Sequence, residues 1–511
     1  MYKPRDMPQE CCGWVGRLLR IDLSLRQVSE ERWDLSRIGG RAFGQWALFD
    51  EEPENCGDFD PQRRLIFSSG PLTGTDAPAP ARLNISSFNL LSGGISSSNA
   101  GGDFSAQMKF AGYDHIIITG KADDPVYILI RDHEVAIMDA SKLWGRDNYE
   151  TNRIIKEEHA DESLSIACIG QAGENLVRIA CIMVNKNRAA GWGGNGALMG
   201  SKNLKAIAVH GTQPVCMADP SAFQSFLREA TSKLNHSQGI QGLRRGGSIA
   251  FINPNFNPLS FKNYRDDTWD PERVRLVLPE VFREKYEVGR KGGYNCKIKC
   301  GRLYHLKEGE FSGLSTEGVQ INALRGFGSN LDMADPSNII KANAVSNQYG
   351  LNIDGIASIV GWIMDCFERG IISESDLGYK VGWGDIHSFL RITEDVTFRE
   401  GLGDILAEGI KRASDKIGKG ADKVAVLSKG VEINEGRLRS HRAWALGIMT
   451  SARGGGHLNG APTAEGLGFD DTLCKEVYGI PNVNDALAYE NKAKLVLFTE
   501  RFQPAFHSGR N

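Results

Sequence analysis

The sequence predicts an α+β chain, with a strand-rich, two-sheet N-terminal domain over residues 13–212 followed by a mainly α-helical region. Three observations predict it. Short apolar runs between glycine turns fill the first part, the pattern changes after Pro214, and helical periodicity takes over from Pro336.

The strand-like runs are, in order, GRLLRIDL, RLIFSSG, HIIITGK, PVYILIRD, EVAIMD, SLSIACIG and KAIAVHG. Each is short, rich in branched side chains and bounded by turn residues. Helical pieces at Phe43 to Glu52 and Asn148 to His159 interrupt them. Residues 213–335 read as a helix and loop segment. ADPSAFQSFLREATSKLN opens with an Asp-Pro helix start, whereas Arg244 to Arg290 has little periodicity and reads as loop. Residues 336–511 read as a C-terminally shortened α-helical domain. PSNIIKANAVSNQYG closes on glycine, and DGIASIVGWIMDCFERG, GDIHSFLRITEDVTFREG, GDILAEGIKRASDKIGKG and NVNDALAYENKAKLVLFTERF follow. No internal repeat stands out.

Bulk properties narrow the function. The 511 residues allow roughly two to four domains. A formal net charge of -3 provides no field for nucleic acid or an acidic membrane. No apolar run is long enough to span a bilayer, and the N-terminus MYKPRDMPQECCGWVG lacks an apolar leader core, so a cytoplasmic location is expected. Ten cysteines are too scattered for a disulfide scaffold. Cys168 and Cys181 lie in apolar runs and read as small buried hydrophobes; Cys296 and Cys300 lie in a polar loop.

Three glycine-rich loops carry the functional signal: GPLTGTDAPAPARLN (Gly70 to Asn84), GGISSSNAGGDF (Gly93 to Phe104) and NKNRAAGWGGNGALMGSKNLKAIAVHG (Asn185 to Gly211). Glycine admits close backbone approach with amides turned inward, and arginine adds a forked donor matched to phosphate oxygens. Three such loops in one domain point to a large, phosphate-bearing cofactor. None follows a strand, opens a helix and leads to an acid in a βαβ unit, which argues against a nucleotide-binding dehydrogenase.

The stretch GPLTGTDAPAPARLN…GGISSSNAGGDFSAQMKFAGYDHIIITGKADDPVYI, with the later IGQAGENLVRIACIMVNKNRAAGWGGNGALMGSKNLKAIAV, resembles the N-terminal domain of the aldehyde:ferredoxin oxidoreductase family. The resemblance runs from about Gly13 to about Ser508. It implies tungsten, or less often molybdenum, between two pterin dithiolenes, with Mg2+ on the pterin phosphates and a [4Fe-4S] cluster beside one pterin. Arg82, Asn99, Gly101, Arg188 and Ala189 fall where the family contacts the pterin cofactor. In GIMTSARGGGHLNG, Arg453 matches a pterin-phosphate contact, and His457 matches a histidine near the metal that donates to substrate oxygen.

The chain also departs from the family pattern. Iron–sulfur clusters of this kind use four thiolates. Cys296 and Cys300 match the second and third ligands, the first position is Gly293, and the fourth falls beyond Asn511. Cys11, Cys12, Cys366, Cys474 or a partner protein are the candidates to complete the set, which leaves the cluster open. The first of two D-x-x-G-L-type pterin motifs survives as Asn347-Gln348-Tyr349-Gly350-Leu351-Asn352, with asparagine for both aspartates. Asparagine keeps the acceptor and loses the charge, so Asn347, Leu351 and Asn352 remain candidate pterin contacts. The second motif would begin at His507, and the helical domain that usually follows is expected to be absent. The family's proposed general acid/base glutamate falls near Asn322; Glu317, five residues earlier, takes its place only if the loop shifts.

The resemblance implies oxidation of an aldehyde to a carboxylic acid. His457 would polarise the carbonyl, Glu317 would handle the proton, and ferredoxin or an electron-transfer iron–sulfur subunit would take electrons through a cluster at Cys296 and Cys300. The alternative is a catalytically reduced or non-catalytic paralogue that serves as a structural or cofactor-binding subunit. A homodimer or hetero-oligomer fits either reading.

Overall fold

In the computed structural model, residues 12–253, 259–466, 468–481 and 483–509 are described, with side chains to residue 502. Cys11 lies outside those bounds, and of the motif that would begin at His507 only backbone to Gly509 is described.

The first sheet contains β1 (Arg17–Asp22), β2 (Gln27–Arg32), β3 (Leu65–Ser68), β4 (Leu83–Phe88), β5 (Ile95–Ala100) and β6 (His115–Thr119), in the order β2-β1-β6-β3-β4-β5. The second contains β7 (Val126–Arg131), β8 (Glu134–Asp139), β9 (Ser165–Cys168), β10 (Ile182–Val184), β11 (Arg188–Ala190) and β12 (Leu204–His210), in the order β11-β10-β9-β12-β7-β8. Read from its other edge, the second order is the first moved on by six strands. In each sheet the first strand pairs parallel with the last, and every other pairing is antiparallel.

Period-two alternation sets the layers. Leu19, Ile21, Ile116 and Ile118 of the first sheet share one core with Ile128, Ile130, Ile207 and Val209 of the second. The opposite faces are covered by helices. Arg41–Glu51 places Phe43 and Ala47 against Leu18, Ile66 and Ile117. Asn148–Glu158, opened by a capping box of Asp147 and Glu150, places Ile155 against Tyr127, Ile166 and Ala208. The domain is therefore two inner sheets between two outer helices.

Three expectations are corrected. The chain does contain an internal repeat, of topology rather than of recognisable sequence. Two of the glycine-rich loops contain hairpins: β4–β5 turns at Gly93-Gly94, and β10–β11 turns between Val184 and Arg188. β5, ISSSNA, was hidden because its inward residues are polar. Asn84 Nδ2 donates to Ser97 Oγ at 2.9 Å and Ser86 Oγ to Asn84 Oδ1 at 2.8 Å, which satisfies buried groups that a hydrophobic pattern cannot reveal. Finally, Arg244 to Arg290 is not loop throughout. It takes in the end of the helix Gln238–Gly246, the helices Pro271–Leu276 and Pro279–Lys285, and the strand β13 (Glu287–Lys291). These helices are too short to display a period, and two of them start on proline.

β13 pairs with β14 (Gly301–His305), and β14 with β15 (Ser315–Glu317). The later helices include Pro336–Tyr349, Ile353–Glu368, Ile386–Phe398 and Lys492–Gly509. Among the described residues no helix is long and apolar enough to cross a membrane.

Candidate cofactor site

The two sheets meet at their edges, β5 against β11. Ser98 Oγ donates to the Trp192 carbonyl at 2.8 Å, and Leu90 N donates to the Gly193 carbonyl at 3.1 Å. The hairpins run past each other, and two clusters of polar side chains flank the seam.

The first cluster lines a cavity of about 430 Å³. Arg82 enters from the start of β4, Asn99 and Gly101 from the end of β5, and Arg188 and Ala189 from β11. The small third sheet contributes Glu317, with Cys296 and Cys300 on the loop before β14, and the helix Pro336–Tyr349 contributes Asn347. Nine sequence-predicted residues thus share one space. Both polar atoms of the Asn99 side chain are buried without a hydrogen-bond partner. Arg82 keeps accessible surface towards the cavity while protein crowds its guanidinium. That desolvation lowers its pKa; Arg188 adds to the effect, and the charges of Cys300 and Cys296 oppose it.

Glu317 is 3% exposed and forms an ion pair with Arg188; Lys291 Nζ lies 3.9 Å away. Burial raises its carboxyl despite these two cations. Gly301 makes the pair possible, since a Cβ there would collide with Glu317 Oε1 and lie 2.7 Å from Arg188 Nη2. Arg188 is therefore balanced from within the protein.

The second cluster, around Ser97, has no such ion pair. Arg453 and Arg41 are 1% and 2% exposed and flank Ser97 of β5. Arg453 Nη1 donates to the Ser97 carbonyl at 2.8 Å and its guanidinium sits 4.9 Å from the Trp192 ring. Its Nε and Nη2 have no hydrogen-bond partner. Arg41 Nε donates to Ser97 Oγ at 3.2 Å and its Nη2 to the Leu458 carbonyl at 2.9 Å. No ion pair to a carboxylate forms at either residue among the described residues. Burial pulls Arg41 down to about 9, with Arg453 contributing, and Arg453 down to about 10, against the attraction of Asp354 and Glu435. Two buried guanidinium groups with no carboxylate in ion-pair contact form a candidate anion site.

His457 does not line the 430 Å³ cavity. Its Nδ1 lies 2.6 Å from Glu435 Oε1, and its ring stacks on Trp444 at 5.3 Å. Glu435 is fully buried and also accepts from Arg325 Nη2 at 3.1 Å. Burial would raise this carboxyl; His457 and Arg325 outweigh it and hold it below the usual range. Asn322, where the family's glutamate was expected, instead donates from Nδ2 to Asp354 Oδ1 at 3.0 Å.

Two predicted contacts have structural work. Leu351 is wholly buried in the core and bridges to Ala180, and Asn352 caps the helix Ile353–Glu368 through its own side chain. Neither lines the cavity. Arg41, Trp192, Glu435 and Asp354 were missed by sequence reasoning. Two of them carried a signal: Gly39-Gly40-Arg41 sets an arginine beside glycines as the loops do, and Trp192 lies inside the third loop.

The donor set fits a pterin cofactor with phosphates: the unpartnered Asn99 amide lines the cavity, and the unpartnered Arg453 nitrogens are buried beside Ser97 of the same strand. It does not fit a four-thiolate cluster. Gly293 packs on the first hairpin so closely that a Cβ would sit 3.0 Å from the N and O of Gly102 and 3.2 Å from Ala81 Cβ. Cys366 and Cys474 are buried, and Cys12 Sγ lies 2.9 Å from Cys216 Sγ. Among the described residues no three metal-ligating side chains converge.

Comparison with known proteins agrees with this geometry. The family model for the N-terminal domain of aldehyde ferredoxin oxidoreductase matches residues 18–211, and the model for its domains 2 and 3 matches residues 225–509. The tungsten-containing aldehyde ferredoxin oxidoreductase of Pyrococcus furiosus is 36% identical over 504 residues, which covers 95% of this chain and 82% of the relative. The aliphatic sulfonate oxidoreductase, WOR-like subunit, of the same organism is 31% identical, with 88% and 76% covered. Among solved structures, the active site complex BamBC of benzoyl coenzyme A reductase, with 1,5-dienoyl-CoA, matches at a TM-score of 0.79 and 25% identity, covering 93% of this chain and 75% of that one.

Proposed function

Since the chain belongs to the aldehyde ferredoxin oxidoreductase family, we propose that it is a tungsten- or molybdenum-pterin oxidoreductase that converts an aldehyde to a carboxylic acid. The observation that carries this reading is the pair Arg41 and Arg453, buried with no carboxylate in ion-pair contact, Asp354 and Glu435 attracting Arg453 only from further off. Such a pair is costly unless an anion completes it, and a pterin phosphate is such an anion.

Arg82 and Arg188 would hold the phosphate of one pterin, and Arg453 with Arg41 that of the other. Asn99, with the backbone at Gly101 and Ala189, would meet polar pterin edges or a phosphate-bound Mg2+; Asn347 would face the cavity. When bound, the metal–dithiolene group supplies two-electron redox chemistry that no side chain here can perform. The chain's own part is positioning and proton handling. Glu435 Oε1, 2.6 Å from His457 Nδ1, orients the imidazole, whose other nitrogen, Nε2, would meet the aldehyde oxygen.

The thiol pair Cys296 and Cys300 does not make a cluster site, so electrons would pass to an iron–sulfur partner, either ferredoxin or a subunit of a larger complex. The close packing of Gly293 on Gly102 favours that arrangement. Purified protein should contain stoichiometric tungsten or molybdenum with two pterins per metal, little iron, and aldehyde-dependent dye reduction. Pterin-free protein with no metal after expression in a tungstate-supplied host would instead support the non-catalytic paralogue.

A further inference from the structure

We propose that Asp354, held by the side-chain amides of Asn322 and Asn434, is the proton-accepting carboxylate of this chain; the inference rests on the aldehyde-oxidising reading above. The resemblance places a glutamate near position 322, and this chain has Asn322 there. The charge has not vanished from the neighbourhood, because Asn322 Nδ2 reaches a carboxylate at 3.0 Å. Asn434 Nδ2 donates to the same oxygen, Asp354 Oδ1, at 2.8 Å. The other oxygen, Oδ2, has no hydrogen-bond partner among the described residues. A side chain held by two donors on one oxygen and free on the other is oriented and still able to take a proton.

The surroundings connect it to His457. Asn434 Nδ2 also donates to the Asn322 carbonyl at 2.9 Å. Arg325 Nη2 bridges Asn322 Oδ1 and Glu435 Oε2, and Glu435 Oε1 binds His457 Nδ1. One polar chain therefore runs from Asp354 through Asn322, Arg325 and Glu435 to the imidazole. Asp354 is 5% exposed. The charged groups facing it are Glu435, Arg325 and the buried Arg453. Burial raises its carboxyl to about 6, with the Glu435 charge adding, against the two amides and Arg325. Glu317, by contrast, is committed to Arg188.

Oxidation by water, RCHO + H2O → RCOOH + 2 e− + 2 H+, breaks the aldehyde C–H bond and one water O–H bond and forms a C–O bond. The electrons leave through the redox cofactor to the iron–sulfur partner. One proton goes to Asp354 Oδ2 and the other to solvent. Asp354 must be ionised to accept it, so activity should rise as pH rises through about 6.

The test is steady-state aldehyde oxidation by metal-loaded protein across pH, with metal and pterin content measured for every variant. Asp354→Asn should lower kcat by about 100-fold or more and remove the acid limb of the pH profile. Adding Asn322→Glu to Asp354→Asn should recover activity, whereas Glu317→Gln should keep the acid limb. Infrared titration of metal-free protein supplies a readout apart from turnover: a carboxyl band titrating near pH 6 in the wild type should be missing from Asp354→Asn. Wild-type kcat with an unchanged acid limb in Asp354→Asn, or persistence of that band, would overturn the assignment. Loaded wild-type protein that oxidises no aldehyde would instead overturn the reaction on which it rests.

Discussion

The two six-stranded sheets have the same pairing order and opposite electrostatic solutions where their edges meet. Around β11, Arg188 is matched by Glu317, and Arg82 lies within reach of two cysteine thiols. Around β5, Arg41 and Arg453 are buried together and have only backbone, hydroxyl and aromatic partners. A repeat built for rigidity alone has no reason to bury one pair of cations without an ion pair. The difference teaches that Arg188 is balanced by the protein itself, while on the proposed function Arg41 and Arg453 would be matched by what binds there.

The largest expected effect breaks that contrast directly. Arg453→Met removes a buried charged donor from the cluster without an ion pair and should weaken cofactor retention about 10- to 100-fold, the range for a hydrogen bond to a charged group. Arg188→Met should cost less, because Glu317 already offsets that charge. Tungsten or molybdenum content and pterin fluorescence after gel filtration would measure both. Equal losses in the two variants would mean that the clusters are electrostatically equivalent in the loaded protein.

Next in size is Gly293→Cys, which restores the residue type expected at the first cluster position. The new Cβ would press on Gly102, at the end of the first hairpin, at 3.0 Å from its N and O. Overpacking of that kind typically costs about 1–3 kcal/mol. A lower Tm and unchanged iron content are expected. A gain of iron with an unchanged Tm would show that the loop can move to admit a cluster.

Much of this contrast was legible in the sequence, and the missing parts share a physical cause. Strands such as HIIIT and VYILIR announced themselves because branched residues alternate or run together. Arg82, Asn99, Gly101 and Arg188 were legible because glycine beside a forked donor is a local signal. The repeat was not, although Gly101-Gly102 precedes the helix Phe104–Phe110 and Gly193-Gly194 precedes the helix Asn195–Ser201. Sheet topology is fixed by which strands pair, and very different side chains satisfy one topology. Arg41 and Asp354 were missed for a further reason. Arg41 lies far along the chain from Arg453, and Asp354 becomes chemically distinctive only when folding brings Asn322 and Asn434 to its carboxylate. Glu317 illustrates the converse. Its type and position suggested proton transfer, but a tertiary ion pair gives it another task.

The smallest expected effect sharpens the comparison by asking whether the two sheets act as one body. Ser98 Oγ on β5 donates to the carbonyls of Gly191 and Trp192, across the seam between the sheets. Ser98→Ala would leave these buried acceptors short of a donor at a cost of about 1–2 kcal/mol. Because both clusters flank the same seam, a single cooperative loss of Tm should be accompanied by faster release of cofactor. If the sheets are independent units, thermal melting should instead separate into two transitions while cofactor release stays unchanged. Calorimetry on loaded and metal-free protein distinguishes the two outcomes, since a ligand gripped by both sheets couples them only while it is bound.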